Sequence, residues 1–171
     1  VVEPGSGVIG RVAVGGSTPI GYYKDDEKSA ATIVQIDGRR YSMPGDYATV
    51  EADGALTLLG RGSVCINTGG EKVFPEEVEE ALKQHPTIHD AVAVGVPDDR
   101  FGEAVTAVVE PEPGAEVDEA DVIAAVHEHL AGYKAPKRVL TIDTIGRAPN
   151  GKVDYKRLRQ RAADELGISL S

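Results

Sequence analysis

Three short pieces of the sequence carry side chains that could hold a sugar or an anion. Pro44-Gly45-Asp46 places a carboxylate at the start of a strand pattern, and a carboxylate can accept two hydroxyl hydrogens of a ribose diol at once. Arg61 carries a guanidinium, which donates to ribose or phosphate oxygens. The turn Asn150-Gly151-Lys152 predicts an ammonium that points away from its own domain and can contact phosphate. Each piece alone also fits a surface turn or a solvated charge.

A glycine-rich stretch, residues 60–74, lies between these pieces and must help to position them. It reads GRGSVCINTGGEKVF, with β-prone residues on both sides of the pair Gly69-Gly70. Local pattern alone fits a β-hairpin with a loose turn. The alternative is a joint between two bodies, because glycine adopts backbone angles that other residues cannot reach and lets a ligand approach closely.

The residues before this stretch favour short strands and turns. Strand patterns cover 7–15, 32–36, 47–51 and 55–59, with one or two helical turns at 25–31 and a hairpin signal at Asp53-Gly54. We therefore predict a small antiparallel β unit. About sixty residues bury little surface, so we do not expect this unit to be stable without neighbours.

The residues after the stretch favour helices that alternate with strands. Helices are predicted at 75–84, at 118–130 and from Asp154 to a stop at Gly167, and strands at 91–96, 104–110 and 138–142. The fold class is α+β: a small antiparallel β unit followed by a compact domain with a small sheet flanked by helices. We place the first domain at residues 1–60, a hinge at 61–64 and the second domain at 65–171.

Composition excludes several classes of protein. A formal net charge of −10 argues against a nucleic-acid binder, although residues 134–161 form a basic stretch that fits either an anion site or a solvated helix face. The single cysteine, Cys65, permits no intrachain disulfide and fits a reducing compartment. No apolar run is long enough to cross a bilayer. No metal-ligand spacing, P-loop or nucleophile elbow is present, so no metal site is predicted.

Taken together, the motifs resemble the C-terminal third of the adenylate-forming enzymes, a superfamily of acyl-CoA synthetases, luciferases and peptide-synthetase adenylation domains. The resemblance covers nearly the whole chain, and its wording is most similar to fatty acyl-CoA ligases for long-chain or steroid-type acids. Five motifs carry it, in the family's order: Gly21-Tyr22-Tyr23-Lys24 with Ala31-Thr32, Pro44-Gly45-Asp46, Gly60-Arg61, residues 68–79, and residues 147–152.

The resemblance implies a fold, a reaction and site residues. A carboxylic acid would react with MgATP to give acyl-AMP, and the thiol of CoA would then displace AMP. Lys152 would be the catalytic lysine, and Asp46 and Arg61 would bind the nucleotide. The lid domain would swing at the hinge residue Ser63, and the loop at Gly69 and Gly70 would line the CoA tunnel. The family usually has aspartate or lysine where this sequence has Ser63, so the polar contacts of that aspartate are not carried over to this chain.

The chain begins Val1-Val2, and we expect it to be a piece cut from a longer protein. In the family the phosphate loop, the magnesium-binding glutamate and the acyl pocket belong to the large N-terminal domain, which is the expected partner and of which residues 1–60 would be the remnant. We therefore expect the chain alone to bind no ATP, Mg²⁺ or CoA and to be inactive.

Two alternatives stay open, namely an adenylation domain that loads a carrier protein and a non-catalytic interaction module. A cytoplasmic location is expected, and peripheral membrane association is left open.

Overall fold

The computed structural model describes residues 1–170 and divides into two compact units, the first ending at Ser63 and the second beginning at Val64. Within the described residues, the first unit contains β1 (Gly10–Arg11), α1 (Asp26–Thr32), β2 (Ile33–Ile36), β3 (Arg39–Ser42), β4 (Asp46–Val50) and β5 (Leu56–Arg61). The second contains β6 (Ile66–Thr68), β7 (Glu71–Val73), α2 (Pro75–Leu82), β8 (Ile88–Asp98), β9 (Gly102–Pro111), α3 (Glu119–His129), β10 (Arg138–Thr141) and α4 (Tyr155–Leu166).

Strand β4 is the centre of a three-stranded antiparallel sheet in the first unit, between β1 and β5. The predicted turn at Asp53-Gly54 joins β4 to β5, and Asp53 Oδ1 accepts the N–H of Ala55 at 2.9 Å. Strands β2 and β3 form a separate hairpin. Of the residues that the structure describes in this unit, only Thr32 and Ala48 are buried. The unit therefore has no substantial hydrophobic core of its own.

The strand predicted over 7–15 is wrong in extent. Gly10–Arg11 pairs with β4, the N–H of Val12 donates to the carbonyl of Asp46 at 2.8 Å, and Val14 forms an isolated bridge to Ser42. Val8, Ile9 and Val14 are exposed, so no sheet or helix within the unit covers this apolar run. An apolar run forms a strand only where a neighbouring strand takes up its backbone hydrogen bonds.

Strand β9 is the centre of the second unit's sheet. It pairs antiparallel with β8 along their whole length, from Ile88 opposite Pro111 to Asp98 opposite Gly102. On its other side it pairs with β10, which runs parallel to it, and with the β6–β7 hairpin through a single residue pair, Thr68 and Gly102.

The two faces of this sheet are covered by different helices. One face packs against α2 and α3, whose buried residues include Val78, Leu82, Val122 and Val126, and the other packs against α4 through Leu158. Alternate residues of β8 enter opposite clusters, with Ala91 and Ala93 in the first and Val92, Val94 and Val96 in the second. Burial on both faces explains why 91–96 is an unbroken apolar run rather than an alternating one. A sheet flanked by helices is the predicted architecture, and the α+β prediction is confirmed.

Strand β8 extends two residues beyond the end predicted for it at residue 96. Pro97 and Asp98 still pair with β9, and the turn follows them, with Asp98 Oδ1 accepting the N–H groups of Arg100 and Phe101 at 2.9 Å each. Pro97 has the same parity along the strand as Ala91 and Ala93, whose N–H groups are bonded to side chains instead of to β9. The missing N–H of proline therefore costs no bond of the ladder.

Candidate functional site

Lys152 closes a tight loop, residues 148–152, between β10 and α4. The N–H of Gly151 donates to the carbonyl of Ala148 at 2.8 Å, the N–H of Ala148 donates to the carbonyl of Lys152 at 2.9 Å, and the N–H of Lys152 donates to Asn150 Oδ1 at 3.2 Å. Pro149 is at the second turn position, and Gly151 has a φ of +77°, a left-handed conformation that favours glycine. The Asn-Gly signal in the sequence thus corresponds to a closed turn.

Four arginines on either side of Lys152 in the sequence are engaged within the second unit. Arg147 pairs with Asp90, Arg159 pairs with Glu103, Arg161 pairs with Glu165, and a guanidinium nitrogen of Arg157 donates to the carbonyl of Ile145. Lys152 is exposed, and within residues 1–170 no carboxylate lies at ion-pair distance from its Nζ. Lys137, Arg138 and Lys156 of the basic stretch are exposed too, and within residues 1–170 they likewise have no carboxylate at ion-pair distance. Lys152 differs from them in its place on a closed loop.

Arg147 makes a two-pronged ion pair with Asp90, at the start of β8. Its Nε lies 2.6 Å from Asp90 Oδ2 and its Nη2 lies 2.8 Å from Asp90 Oδ1. Burial alone would raise the pKa of Asp90, but hydrogen bonds from Arg147 and from the N–H of Ala91, together with the charges of Arg147 and Lys83, lower that pKa below its ordinary value.

Glu79 is a buried carboxylate beneath the same loop. Its Oε1 accepts the hydroxyl of Tyr155 at 3.0 Å and the N–H of Ala93 at 3.1 Å. Burial raises the pKa of Glu79, and the two hydrogen bonds offset only part of that rise. Burial and the neighbouring carboxylate of Glu79 also raise the pKa of the Tyr155 hydroxyl.

Glu79, Asp90 and Tyr155 were not predicted as site residues from the sequence. A local signal existed for Glu79, since it is a charged residue inside the apolar stripe formed by Val78 and Leu82. For Asp90 and Tyr155 the sequence offered no comparable signal, because they lie near the start of β8 and at the start of α4, where polar residues are common.

Asp46 and Arg61 are brought together within the first unit. They lie opposite each other on β4 and β5, and Arg61 Nε lies 3.1 Å from Asp46 Oδ1. The carboxylate is one-third exposed and the guanidinium two-thirds exposed, so both remain accessible to a polar ligand. Gly45, next to Asp46, has a φ of +98° and accepts the N–H of Gly62 through its carbonyl at 3.1 Å.

Ser63 is exposed and lies in the short 3₁₀ turn Gly62–Val64, at the boundary between the two units. Gly62 is enclosed, because a Cβ there would lie 2.5 Å from the ring of Tyr47. A larger residue at 62 would therefore have to displace that ring.

Gly69 and Gly70 form the turn between β6 and β7 in the second unit, and both have positive φ, +60° and +87°. The N–H of Gly69 donates to the carbonyl of Phe101 at 2.8 Å, which ties the turn to the β8–β9 connection. A Cβ at Gly70 would have no neighbour within 4 Å.

The predicted site residues are therefore divided between the units. Asp46 and Arg61 lie in the first, while Lys152, Gly69 and Gly70 lie in the second. Across the described part of the chain, no group of three His, Cys, Asp or Glu side chains is arranged to hold a metal ion. No helix in residues 1–170 has the length and apolar character to cross a membrane.

Residues 77–152 match the sequence model of a family described as the AMP-binding enzyme C-terminal domain. Over 169 residues the chain is 54% identical to the 3-oxocholest-4-en-26-oate–CoA ligase of Rhodococcus rhodochrous, an alignment that covers 96% of this chain and 30% of that protein. It is 51% identical to a medium/long-chain-fatty-acid–CoA/3-oxocholest-4-en-26-oate–CoA ligase of Mycobacterium tuberculosis, covering 96% of this chain and 31% of that one.

Among solved structures, ATP-bound MatB from Rhodopseudomonas palustris superposes with a TM-score of 0.80 at 33% identity, covering 96% of this chain and 34% of that one. The chain thus spans less than a third of the length of the two curated relatives.

Proposed function

Because this chain belongs to the AMP-binding enzymes and contains their C-terminal domain, we propose that it is the C-terminal part of an ATP-dependent acyl-CoA synthetase. In this reaction a carboxylate attacks the α-phosphate of ATP, giving acyl-AMP and pyrophosphate. The thiol of CoA then attacks the acyl carbonyl, and AMP leaves. The two relatives are named for fatty and steroid acids and for CoA, which supports a fatty or steroid-type carboxylic acid as substrate and CoA as acceptor.

The observation that carries the proposal from the family to this chain's residues is the exposed ammonium of Lys152 on a closed loop that also contains the Arg147–Asp90 ion pair. In our proposal Lys152 donates to the attacking carboxylate and to an α-phosphate oxygen. Negative charge is most crowded there in the transition state, so a fixed donor stabilises the transition state more than the separate reactants.

We assign Asp46 and Arg61 to the ribose of the nucleotide. A carboxylate offers about four lone-pair positions, so Asp46 can keep Arg61 and accept ribose hydroxyls at once. Their separation of 3.1 Å supports the assignment, because both groups can then contact the same sugar. Both side chains are on neighbouring strands rather than on a loop, which keeps their relative placement constant.

We further propose that residues 1–60 end the N-terminal adenylating domain, that 61–64 is a hinge and that 65–171 is a mobile lid. The boundary between the units at Ser63 supports this division. Rotation at Ser63 would withdraw Lys152 after the first step and bring the Gly69-Gly70 turn to the pantetheine arm of CoA, where side chains would obstruct the thiol. We propose a cytoplasmic location, which the lone Cys65 supports.

Magnesium neutralises phosphate charge in nucleotide reactions, but the described residues offer no three-ligand cluster for it. We therefore assign no magnesium ligand to this chain. We propose that ATP, Mg²⁺ and CoA are bound only when the N-terminal domain is present.

The test is made with the full-length protein that contains this chain. Acid-dependent exchange between pyrophosphate and ATP should be seen with a series of fatty acids or with a steroid carboxylic acid, and acyl-CoA and AMP should form when CoA is added. Absence of exchange with every acid would contradict the proposal. Acyl transfer to a phosphopantetheinyl carrier protein, but not to CoA, would support the carrier-loading alternative instead.

The 171-residue chain alone should show no pyrophosphate–ATP exchange, because it corresponds to only 30% of the length of the Rhodococcus relative. Exchange by the purified chain would contradict our division of the enzyme. Binding to another protein that survives substitution of both Lys152 and Asp46 and requires no nucleotide would support an interaction module.

A further inference from the structure

The outer edge of β8 carries two backbone N–H groups that are not used by β9. The N–H of Ala91 donates to Asp90 Oδ1 at 2.8 Å, and the N–H of Ala93 donates to Glu79 Oε1 at 3.1 Å. Two carboxylates therefore cap successive outward-facing positions of this edge, which satisfies donors that would otherwise have no partner within the domain.

The same two carboxylates hold the loop of Lys152 from both ends. Asp90 receives both prongs of the Arg147 guanidinium, five residues before Lys152, and Glu79 receives the hydroxyl of Tyr155, three residues after it. Arg147 also donates from Nη1 to the carbonyl of Gly151 at 3.4 Å, inside the loop. The loop is thus attached to the edge of β8 by two contacts, which we call clamps. The first is the Arg147–Asp90 ion pair before Lys152, and the second is the Tyr155–Glu79 hydrogen bond after it.

The two carboxylates of these clamps are largely buried, while the Arg147 side chain is about one-third exposed. Glu79 is 5% exposed and the side chain of Asp90 is 17% exposed. Charge-assisted hydrogen bonds are stronger than neutral ones, and a two-pronged arginine–carboxylate pair also fixes orientation. The Arg161–Glu165 pair on α4 is a useful contrast, since it joins two residues one helical turn apart, both about two-fifths exposed.

We propose that Arg147 and Tyr155 are positioning residues for Lys152, holding its loop on the edge of β8 through Asp90 and Glu79. The inference rests on the proposed role of Lys152 as the donor to the α-phosphate. A transition-state donor loses much of its effect when it is displaced by about 1 Å, so a loop released at either end should weaken that role without removing the ammonium.

The first experiment measures both half-reactions of the full-length enzyme with Arg147→Met. Adenylation is followed by pyrophosphate–ATP exchange, and thioester formation is followed from supplied acyl-AMP and CoA. We expect kcat for adenylation to fall about 10-fold or more, with the KM for ATP little changed and with thioester formation retained. Arg161→Met removes an arginine of a carboxylate pair that does not touch the loop, and it should leave both half-reactions at their wild-type rates.

The second experiment asks whether Arg147 acts through Lys152. In a Lys152→Ala background, Arg147→Met should cause no further loss of adenylation, because the group that it positions is already absent. If the double variant instead loses as much adenylation as the product of the two single-variant losses, the inference is overturned. Equal losses of adenylation and thioester formation in Arg147→Met would also overturn it, since they would indicate general damage to the lid.

If Arg147→Met does not fold, Tyr155→Phe replaces it in the experiment. This variant removes only one hydroxyl and keeps the ring, so it should disturb the fold less. It should also lower adenylation selectively, while Tyr133→Phe, at an exposed tyrosine, should not. Arg147→Lys, which keeps the charge and loses the second prong, should recover part of the adenylation rate. No selective loss in Tyr155→Phe and no recovery in Arg147→Lys would each contradict the inference.

The inference and the proposed function fail differently. If the wild-type enzyme shows no exchange, or if Lys152→Ala adenylates normally, the proposed function or the role of Lys152 is wrong and the clamp has nothing to position. If Lys152→Ala is selectively slow in adenylation while Arg147→Met and Tyr155→Phe are normal, only the positioning inference is wrong.

Discussion

Asp46 and Arg61, which are separated by 15 positions in the sequence, face each other on adjacent antiparallel strands with Arg61 Nε 3.1 Å from Asp46 Oδ1. The turn at Asp53-Gly54 sets the register in which Ala48 lies opposite Leu58. A bulge at Leu59 then shifts the register by one residue, so that Arg61 rather than Gly60 lies beside Asp46. Two groups that the sequence marks separately as ribose ligands are therefore neighbours in the fold.

Asp46→Ala in the full-length enzyme is expected to raise the KM for ATP about 10- to 100-fold, with a smaller effect on kcat. Hydrogen bonds to a charged group contribute about 1.5–3 kcal/mol each, and those to the ribose are made in the ground state and transition state alike. Steady-state kinetics of adenylation with varied ATP makes the measurement. Asp53→Ala, which alters a turn carboxylate of the same hairpin, should leave the KM unchanged; a normal KM in Asp46→Ala would refute the ribose assignment.

Lys152→Ala is expected to slow adenylation about 100-fold or more, by analogy with the loss of one transition-state donor. Thioester formation from supplied acyl-AMP should be largely retained, because the attack of the thiol does not involve the α-phosphate. Rapid-quench assays of the two half-reactions make the comparison. Equal loss in both would contradict the role assigned to Lys152.

Gly70→Leu is expected to slow thioester formation about 10-fold or more while adenylation is retained. A side chain at 70 meets no atom of the domain within 4 Å, so its effect on folding should be limited to the cost of the positive φ, about 1 kcal/mol. The matched control is Gly114→Leu, at a second glycine with positive φ, +80°, and no neighbour within 4 Å. If both variants lose the same activity, backbone strain and not a CoA tunnel explains the effect.

Much of the second unit's fold was predictable because its signals are local. The stripe of Val122 and Val126 with the N-cap Asp118 predicts α3, and the αL stop at Gly167 predicts the end of α4, where its φ is +68°. The unbroken apolar run of β8 is typical of a strand buried on both faces. Such patterns depend on residues within about two turns or one strand of each other.

The clamps around Lys152 were not predictable in the same way. Asp90 and Arg147 are 57 positions apart, and Glu79 and Tyr155 are 76 apart. A single sequence does not indicate which of many carboxylates will meet a given arginine, because that choice is made by the packing of α2 and α4 on opposite faces of the sheet. The overlong strand prediction at 7–15 failed for a related reason, since strand formation needs a partner that the local run does not specify.

Glu79→Gln is expected to stabilise the protein more at pH 7 than at pH 4. The pKa of Glu79 is raised in the folded state by burial, so the free energy of unfolding that it contributes is fully present below its ordinary pKa, about 4.3, and is lost as the pH rises through the raised value. Glutamine keeps an oxygen for Tyr155 and Ala93 without a charge. The difference in Tm between variant and wild type should therefore grow with pH from about 4 upward.

The effect of Asp90→Asn on stability should depend on pH in the opposite direction to that of Glu79→Gln, so the two variants together test the two contacts. The folded-state pKa of Asp90 is lowered, so its contribution to the free energy of unfolding is present above its ordinary pKa, about 3.9, and is lost as the pH falls through the lowered value. Asp90→Asn should thus be most destabilising near neutral pH and approach wild-type stability in acid. Glu80→Gln, an exposed carboxylate on α2, controls for net charge; the same trend in all three variants would mean that general electrostatics, and not these two contacts, sets the pH dependence.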